Sequence, residues 1–424
     1  MGDSPTPFLF LIVGGIKLRF SVFIIALLCL PLLIGCASSP VSHDVAGMYT
    51  IKDISEGLPV SGLWRENVVL SDMDGDGQLD IVAPPPRKAL KGDGRPYVFA
   101  RDKDGVWKEK KYAISGGKEY GYGGIAAGDL DGDGYPDMVL AVHGGAITFF
   151  MNDGHGGFTV SSFPDAVGRF YSRAVELADI NGDGRPDIVA LSEASFVEGY
   201  KPRGILTGIN KEGKGWDVKV FGEDSMILGD SLAVGDIRGK GIKDIAIANM
   251  TTDASKKLIW FGDGKGVFEV YDVDFVGHAM PYLVGMGDVD GDGRDEVVFR
   301  LAGIGRDATV NARVFKWTGD AFKDISAGLE KEVPIVFDFA DVDGDGKKEM
   351  ALLSESGIHI YKYIASGWVE QAKYDVPAAS LRGARSLKIG KNSDGSWMIV
   401  YNMGFEAADL QRGIKALVLT KRGK

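Results

Sequence analysis

The nine residues beginning at Asp72, Asp-Met-Asp-Gly-Asp-Gly-Gln-Leu-Asp, set four carboxylates at loop positions 1, 3, 5 and 9. Glycines at positions 4 and 6 let the backbone turn sharply enough to aim those acids at one point. Carboxylates crowded this closely repel one another and resist ionisation unless a cation sits among them. The chemistry this spacing offers is the capture of a hard divalent ion by oxygen ligands.

The loop recurs. Close copies begin at Asp129 (DLDGDGYPD), Asp179 (DINGDGRPD), Asp288 (DVDGDGRDE) and Asp341 (DVDGDGKKE), and a worn copy begins at Asp236 (DIRGKGIKD). Successive starts lie 50 to 57 residues apart, a period that signals a solenoid, propeller or array. The pattern D-x-[DN]-x-[DN]-G matches the opening of an EF-hand loop, and a flexible, all-oxygen cage suits calcium better than magnesium. A single loop of this kind could be an acidic solvated turn; five in register argue for Ca²⁺ at about five sites.

The side-chain ligands expected are Asp72, Asp74, Asp76 and Asp80; Asp129, Asp131, Asp133 and Asp137; and Asp179, Asn181, Asp183 and Asp187. Asp288, Asp290, Asp292 and Glu296 form the next set, followed by Asp341, Asp343, Asp345 and Glu349. Carbonyls of Gln78, Tyr135, Arg185, Arg294 and Lys347 are expected at position 7. Glu296 and Glu349 are one methylene longer than Asp, which weakens the case for their direct ligation. In the 236–244 loop Arg238 and Lys240 replace two acids, so a tethered cation can neutralise Asp236 and Asp244 and no ion is expected there.

Each loop joins two short apolar strands, far too short to be EF-hand helices. The second strands read DIVAP from Asp80, DMVLAV from Asp137, DIVAL from Asp187, DIAIAN from Asp244, EVVFRL from Glu296 and EMALL from Glu349. A third strand follows, then a Gly-bearing turn and an aromatic opening a fourth: Trp107, Phe158, Trp216, Phe268, Phe322 and Trp368. Four antiparallel strands with one regular aromatic per unit describe a propeller blade. A seventh unit, 387–403, runs parallel to 176–192 without the acids, and the chain ends where its fourth strand should begin. Ile51-Lys-Asp-Ile-Ser-Glu-Gly-Leu58 is similar to Phe322-Lys-Asp-Ile-Ser-Ala-Gly-Leu329. The N-terminal segment is therefore predicted to complete the last blade, removing an exposed sheet edge. The fold class is all-β, a seven-bladed propeller of four-stranded antiparallel blades.

These repeats resemble the FG-GAP/VCBS family, whose members include the integrin α-subunit propellers, over essentially all of 47–424. The resemblance implies a calcium-stabilised propeller of the interaction type. Similar propellers also occur in lectin-like proteins and attached to enzymes.

Lys17 and Arg19 precede an apolar run, Phe20 to Ile34, that ends at Leu33-Ile-Gly-Cys36. The run is shorter than the ~20 residues of a membrane span, and its flanks describe an export signal. The tetrapeptide resembles the bacterial lipobox, with lipidation at Cys36. The organisation read from this is a signal peptide at 1–35, a tether at 36–46 and the propeller at 47–424; an uncleaved single-pass anchor is the alternative. The expected location is the bacterial cell envelope, lipid-anchored at the outer membrane or cell surface. The chain's two cysteines, Cys29 and Cys36, leave the mature domain no disulfide, so calcium would serve as its staple. The net charge of −11 is largely metal-loop acidity, and no basic patch suggests nucleic acid.

Successive turns of a blade alternate between the two faces of the disc, so the loops opposite the metal turns are the candidate docking surface. They carry Trp64, Tyr122, Arg169, Tyr171, Tyr200, His278 and Tyr282. Residues of these types anchor interfaces and sugar-stacking sites; plugging the channel or packing loops is the equal alternative. The five histidines are scattered, and no nucleophile-elbow, zincin or phosphate-cradling motif occurs. The expectation is a non-enzymatic binding module for a protein or polysaccharide. A polysaccharide lyase or dehydratase, built on His278, Tyr282, Arg169 and Tyr122, is the runner-up. A structural subunit of an envelope complex is a third reading.

Overall fold

The computed structural model describes residues 48–422, apart from 65, 88–93, 117–118, 164–169, 194–202, 224–226, 251–256, 274–278, 303–309, 331, 377–385 and 404–412. The expected signal peptide, tether and Cys36, like Arg169, Tyr200 and His278, lie outside the described residues. Among the described residues no helix is long and apolar enough to cross a membrane.

Seven antiparallel sheets follow one another along the chain. Their first strands are Val69–Ser71, Gly123–Gly128, Ser172–Ala178, Leu232–Gly235, Met280–Gly287, Pro334–Ala340 and Leu387–Lys391. Each first strand lies beside the first strand of the next blade, and the seventh lies beside the first. These are the innermost strands of a closed ring, a seven-bladed β-propeller.

The second strands are buried along their length; Asp187–Ser192 and Glu349–Ser354 are buried at every position. Both faces of such a strand are covered by neighbouring blades, so its sequence is a continuous apolar run rather than an alternation. The hydrophobic core is accordingly divided into seven clusters, one per blade interface. The fourth-strand aromatics fill them: Trp107, Phe158, Phe268 and Trp368 are buried, while Trp216 and Phe322 are half-buried against the same clusters. Each packs against the preceding blade.

Tyr49–Asp53 pairs antiparallel with Gly413–Lys421, Ile51 opposite Leu419, and supplies the fourth strand of blade 7. The repeated segment after it performs one job twice. The Trp107 indole Nε1 donates to Ile54 O at 2.7 Å, and the Trp368 Nε1 donates to Ile325 O at 3.0 Å. Gly57 has φ +93°, and a Cβ there would lie 2.1 Å from Trp107 O, so only glycine fits.

Blade 2 differs from four strands. Ala113–Ile114 adds in parallel to its outer strand, Gly157–Ser162. This short strand, from the segment that leads from blade 1 to blade 2, covers the outer sheet edge.

Side chains at or beside the inner strands tie five of the seven blade junctions through backbone groups. Asn67 both accepts from and donates to the Ile125 backbone, Glu176 accepts from Val234 N, Asp338 from Ile389 N, and Ser386 Oγ from Val68 N. Ser231 does the same toward Val284. Between blades 2 and 3 the backbones themselves approach: a Cβ on Gly124 would lie 2.3 Å from Arg173 O. The Gly-rich stretch 121–124 therefore has a packing cause.

Candidate metal centres and the opposite face

Every acidic loop joins the first and second strands of its blade, and the five with intact nonapeptides are built alike. The position-1 Asp accepts the glycine N–H of position 4 with Oδ1 and that of position 6 with Oδ2: 2.8 and 2.8 Å at Asp72, 2.7 and 2.9 Å at Asp129. The glycines carry positive φ, as at Gly132 (81°) and Gly134 (91°), with open space around the absent Cβ. The position-9 acid reaches back to the N–H of position 2, from Asp80 to Met73 at 3.0 Å and from Asp137 to Leu130 at 2.8 Å. The loop shape is thus written by one Asp, two glycines and one terminal acid.

The remaining oxygens converge. Carboxylate oxygens of Asp72, Asp74 and Asp80 lie within 4.8 Å of one another, as do those of Asp129, Asp131 and Asp137. The sets Asp288, Asp290, Glu296 and Asp341, Asp343, Glu349 do likewise. In the third loop Asn181 Nδ2 donates to Asp183 Oδ2 at 3.0 Å, and Arg185 also reaches that oxygen, at 2.6 Å. Burial pushes the position-9 carboxyls up, to about 7 at Asp80 and Asp137 and about 6 at Asp187. Neighbouring acids add to the shift, but desolvation is its largest cause, where the sequence pointed to repulsion.

An all-oxygen donor set with buried, reluctant carboxylates fits a hard cation. Beside the first loop the Tyr112 hydroxyl is buried without a hydrogen-bond partner, a further polar atom unsatisfied near these carboxylates. Among the described residues no basic side chain pairs with the second loop's acids, the cleanest of the six.

The fourth loop keeps the same turn, with Gly241 N donating to Asp236 Oδ2 at 2.6 Å. Arg238 supplies the expected tethered cation: its guanidinium grips the fully buried Asp244 at 2.7 and 3.2 Å and also donates to Gly262 O. Lys240 contributes its backbone N–H to Asp236.

The fifth and sixth loops hold a feature the sequence reading missed. Lys316 pairs with Asp290, lies 2.7 Å from Asp292 and 3.6 Å from Glu296. Lys362 lies 2.5 Å from Asp343, 2.7 Å from Asp345 and 3.0 Å from Glu349. Burial alone would lower both lysines, yet hydrogen bonds to the position-3 and position-5 acids outweigh it and hold the ammonium groups charged above their usual range. The signal was present as a lysine on the third strand, at the position facing each terminal glutamate.

The loops are stitched around the ring. Asn152 and Asn210 donate to Met73 O and Leu130 O of the preceding loops, at 3.2 and 2.6 Å. Asp295 and Asp236 exchange two bonds, Lys348 N donates to Asp288 O, and Gln78 reaches Ser393 of the acid-free seventh turn.

On the opposite face a polar chain crosses four blades. Arg87 pairs with Glu66 and lies 4.3 Å over the Tyr122 ring, which stacks on His143 at 4.9 Å. His143 Nδ1 sits 2.7 Å from the buried Glu193, which Arg173 approaches at 2.9 Å while also pairing with Asp230 at 2.6 Å. Of the expected face residues, Tyr122 is in this chain, Tyr171 is half-buried beside it with its carbonyl accepting Glu193 N, and Tyr282 is exposed near the Arg300 guanidinium. Trp64 departs from expectation: only 7% exposed, it packs edge-on against Tyr97 and Phe99. Its indole Nε1 donates to Ser61 O at 2.8 Å, and the ring belongs to the core cluster between blades 7 and 1.

One cluster has the outline of a catalytic triad. Exposed Ser356 lies 2.7 Å from His359 Nε2, and His359 Nδ1 lies 2.6 Å from Glu370. The single Ser356 hydroxyl proton, however, goes to Glu332 at 3.0 Å. Ser354 Oγ also lies 3.1 Å from His359 Nε2 and 2.9 Å from Ser356 Oγ, so the two hydroxyls, the ring and the two glutamates form one local network. The cluster caps the rim between blades 5 and 6.

The FG-GAP-like repeat family matches residues 72–140 and 129–190. Integrin alpha-4 of Xenopus laevis is 28% identical over 205 residues, 42% of this chain and 19% of that protein. The chain thus spans about a fifth of that relative. Among solved structures, a lectin of Agrocybe aegerita that recognises non-reducing terminal N-acetylglucosamine superposes with TM-score 0.52 at 17% identity, covering 78% of this chain and 91% of the lectin. A fungal copper alcohol oxidase of the AA5 family gives TM-score 0.56 at 12% identity, covering 89% and 76%. At such identities these two show a common fold and nothing more.

Proposed function

We propose that this integrin-like FG-GAP propeller is a calcium-braced, non-enzymatic binding module, held at a bacterial envelope by lipid on Cys36. It would present the face opposite its metal loops to a protein or polysaccharide. The carrying observation is the division of labour between the faces. Convergent carboxylates gather on one, while the other offers an exposed Tyr282 beside the Arg300 guanidinium and the charged groups gathered around Tyr122. Flat aromatic faces beside fixed charges suit sugar rings and protein hot spots alike.

Calcium has a structural task in this reading. Loops of adjacent blades share hydrogen bonds, so an ion that fixes one loop also stiffens its neighbour. Ions that bind only the folded state add stability by mass action.

The test is a glycan array probed with the full chain in millimolar calcium, beside Tyr122→Ala and Tyr282→Ala. Binding that the substitutions abolish, with no product formed, supports the module. New unsaturated or reducing ends would instead support the polysaccharide-active enzyme, a lyase or dehydratase. Metabolic labelling with a palmitate analogue, lost in Cys36→Ala, checks the anchor.

A further inference from the structure

The five intact loops are not equivalent, and the difference lies outside the nonapeptide. Second and third strands pair in register: Ile81 with Phe99, Met138 with Phe150, Ile188 with Gly208, Val297 with Phe315 and Met350 with Tyr361. One step toward the loop from each pair stand the position-9 acid and the third-strand residue beside it. Those combinations are Asp80 with Ala100, Asp137 with Met151 and Asp187 with Ile209, then Glu296 with Lys316 and Glu349 with Lys362. Where the acid is Asp, the neighbour is apolar; where it is Glu, the neighbour is Lys.

Geometry explains the coupling. Asp137 and Asp187 use their second oxygen to accept a third-strand N–H, from Asn152 at 2.7 Å and Asn210 at 2.8 Å. The longer glutamates spend one oxygen on the loop, at Val289 N and Val342 N, and extend the other, Oε1, toward the lysine. Each ammonium then meets the acids of positions 3, 5 and 9 together. Lys110 at the first loop pairs with Asp74 alone and comes from the fourth strand.

We infer that Lys316 and Lys362 are built-in replacements for the metal, so that only the first three loops take up calcium. A tethered ammonium supplies one positive charge at no cost in ion concentration, so blades 5 and 6 stay closed in calcium-poor surroundings. Blades 1 to 3 would then respond to the ion. This refines the calcium reading above and rests on it.

Equilibrium dialysis of the full chain against calcium, read by elemental analysis, decides the matter. Three ions per chain are expected, rising to four in Lys316→Met or Lys362→Met and to five in the double variant. Should the lysine variants fold poorly, acid substitutions give the same answer. Asp290→Asn and Asp343→Asn should leave three ions, whereas Asp131→Asn should leave two. Five ions in the unaltered chain overturn the inference while sparing the calcium reading. Three ions that the lysine variants leave unchanged also overturn it. No uptake by any form removes both.

Discussion

The hydroxyl oxygens of Thr50 and Thr420 lie 2.6 Å apart, although 370 residues separate them in the chain. They mark the seam where the first strand completes the last sheet. Tyr49, buried between blades 6 and 7, packs the same seam. Tyr49→Ala should cost about 3 kcal/mol in urea unfolding, as for other large-to-small core changes. Deleting residues 1–53 should expose the edge of Gly413–Lys421 and produce self-association in light scattering. A monomeric truncation of undiminished stability would contradict the closure.

Two glycines should behave differently although both have positive φ. At Gly132 a Cβ meets nothing, so Gly132→Ala should cost only the left-handed backbone penalty, about 1–2 kcal/mol. At Gly57 the Cβ would strike Trp107 O, and Gly57→Ala should cost well beyond that. Thermal melts of the two variants in calcium give the comparison.

Arg238→Ala strands the buried Asp244, which otherwise pairs with that guanidinium. Breaking such a pair costs about 3–5 kcal/mol. Added calcium should not restore the melting temperature, because the loop then offers too few acids. Recovery in calcium would show that arginine had been masking a metal site.

Glu176 lines the channel, accepting Val234 N at 3.1 Å. Burial pushes its carboxyl up to about 7 from 4.5; Asp338 adds to the rise, and Lys388 and the Val234 N–H oppose it. Folded protein therefore keeps a proton that the unfolded chain gives up between those values. The stability this group contributes is complete below about pH 4.5 and is lost as pH rises through 7. Glu176→Gln should remove that slope, so the variant gains on the parent chain from pH 5 to pH 8 in denaturant melts. Parallel curves for the two proteins would refute the assignment.

Chelation should lower the melting temperature reversibly in calcium. If the loops follow extracellular calcium modules, half-maximal effect lies at about 10⁻⁴–10⁻³ M. Magnesium at equal concentration should restore less.

Much of this protein was legible in its sequence because the same unit is written repeatedly. The nonapeptide fixed the place of each acidic turn, the apolar runs after it fixed the buried second strands, and the Ile51 and Phe322 segments revealed the seam. The position-1 Asp and the glycines at 4 and 6 shape the loop locally, and the worn fourth loop keeps that shape with its middle acids replaced. Local hydrogen bonds need only local sequence, so such features survive being read one residue at a time.

Only the tertiary structure could decide which side chains meet across strands and blades. Trp64 became core rather than surface, Tyr122 found His143 and Arg87 from two other segments, and Lys316 and Lys362 entered loops lying some 20 residues before them. Those outcomes follow from pairing register and blade packing, which bring together groups whose spacing along the chain carries no warning of it.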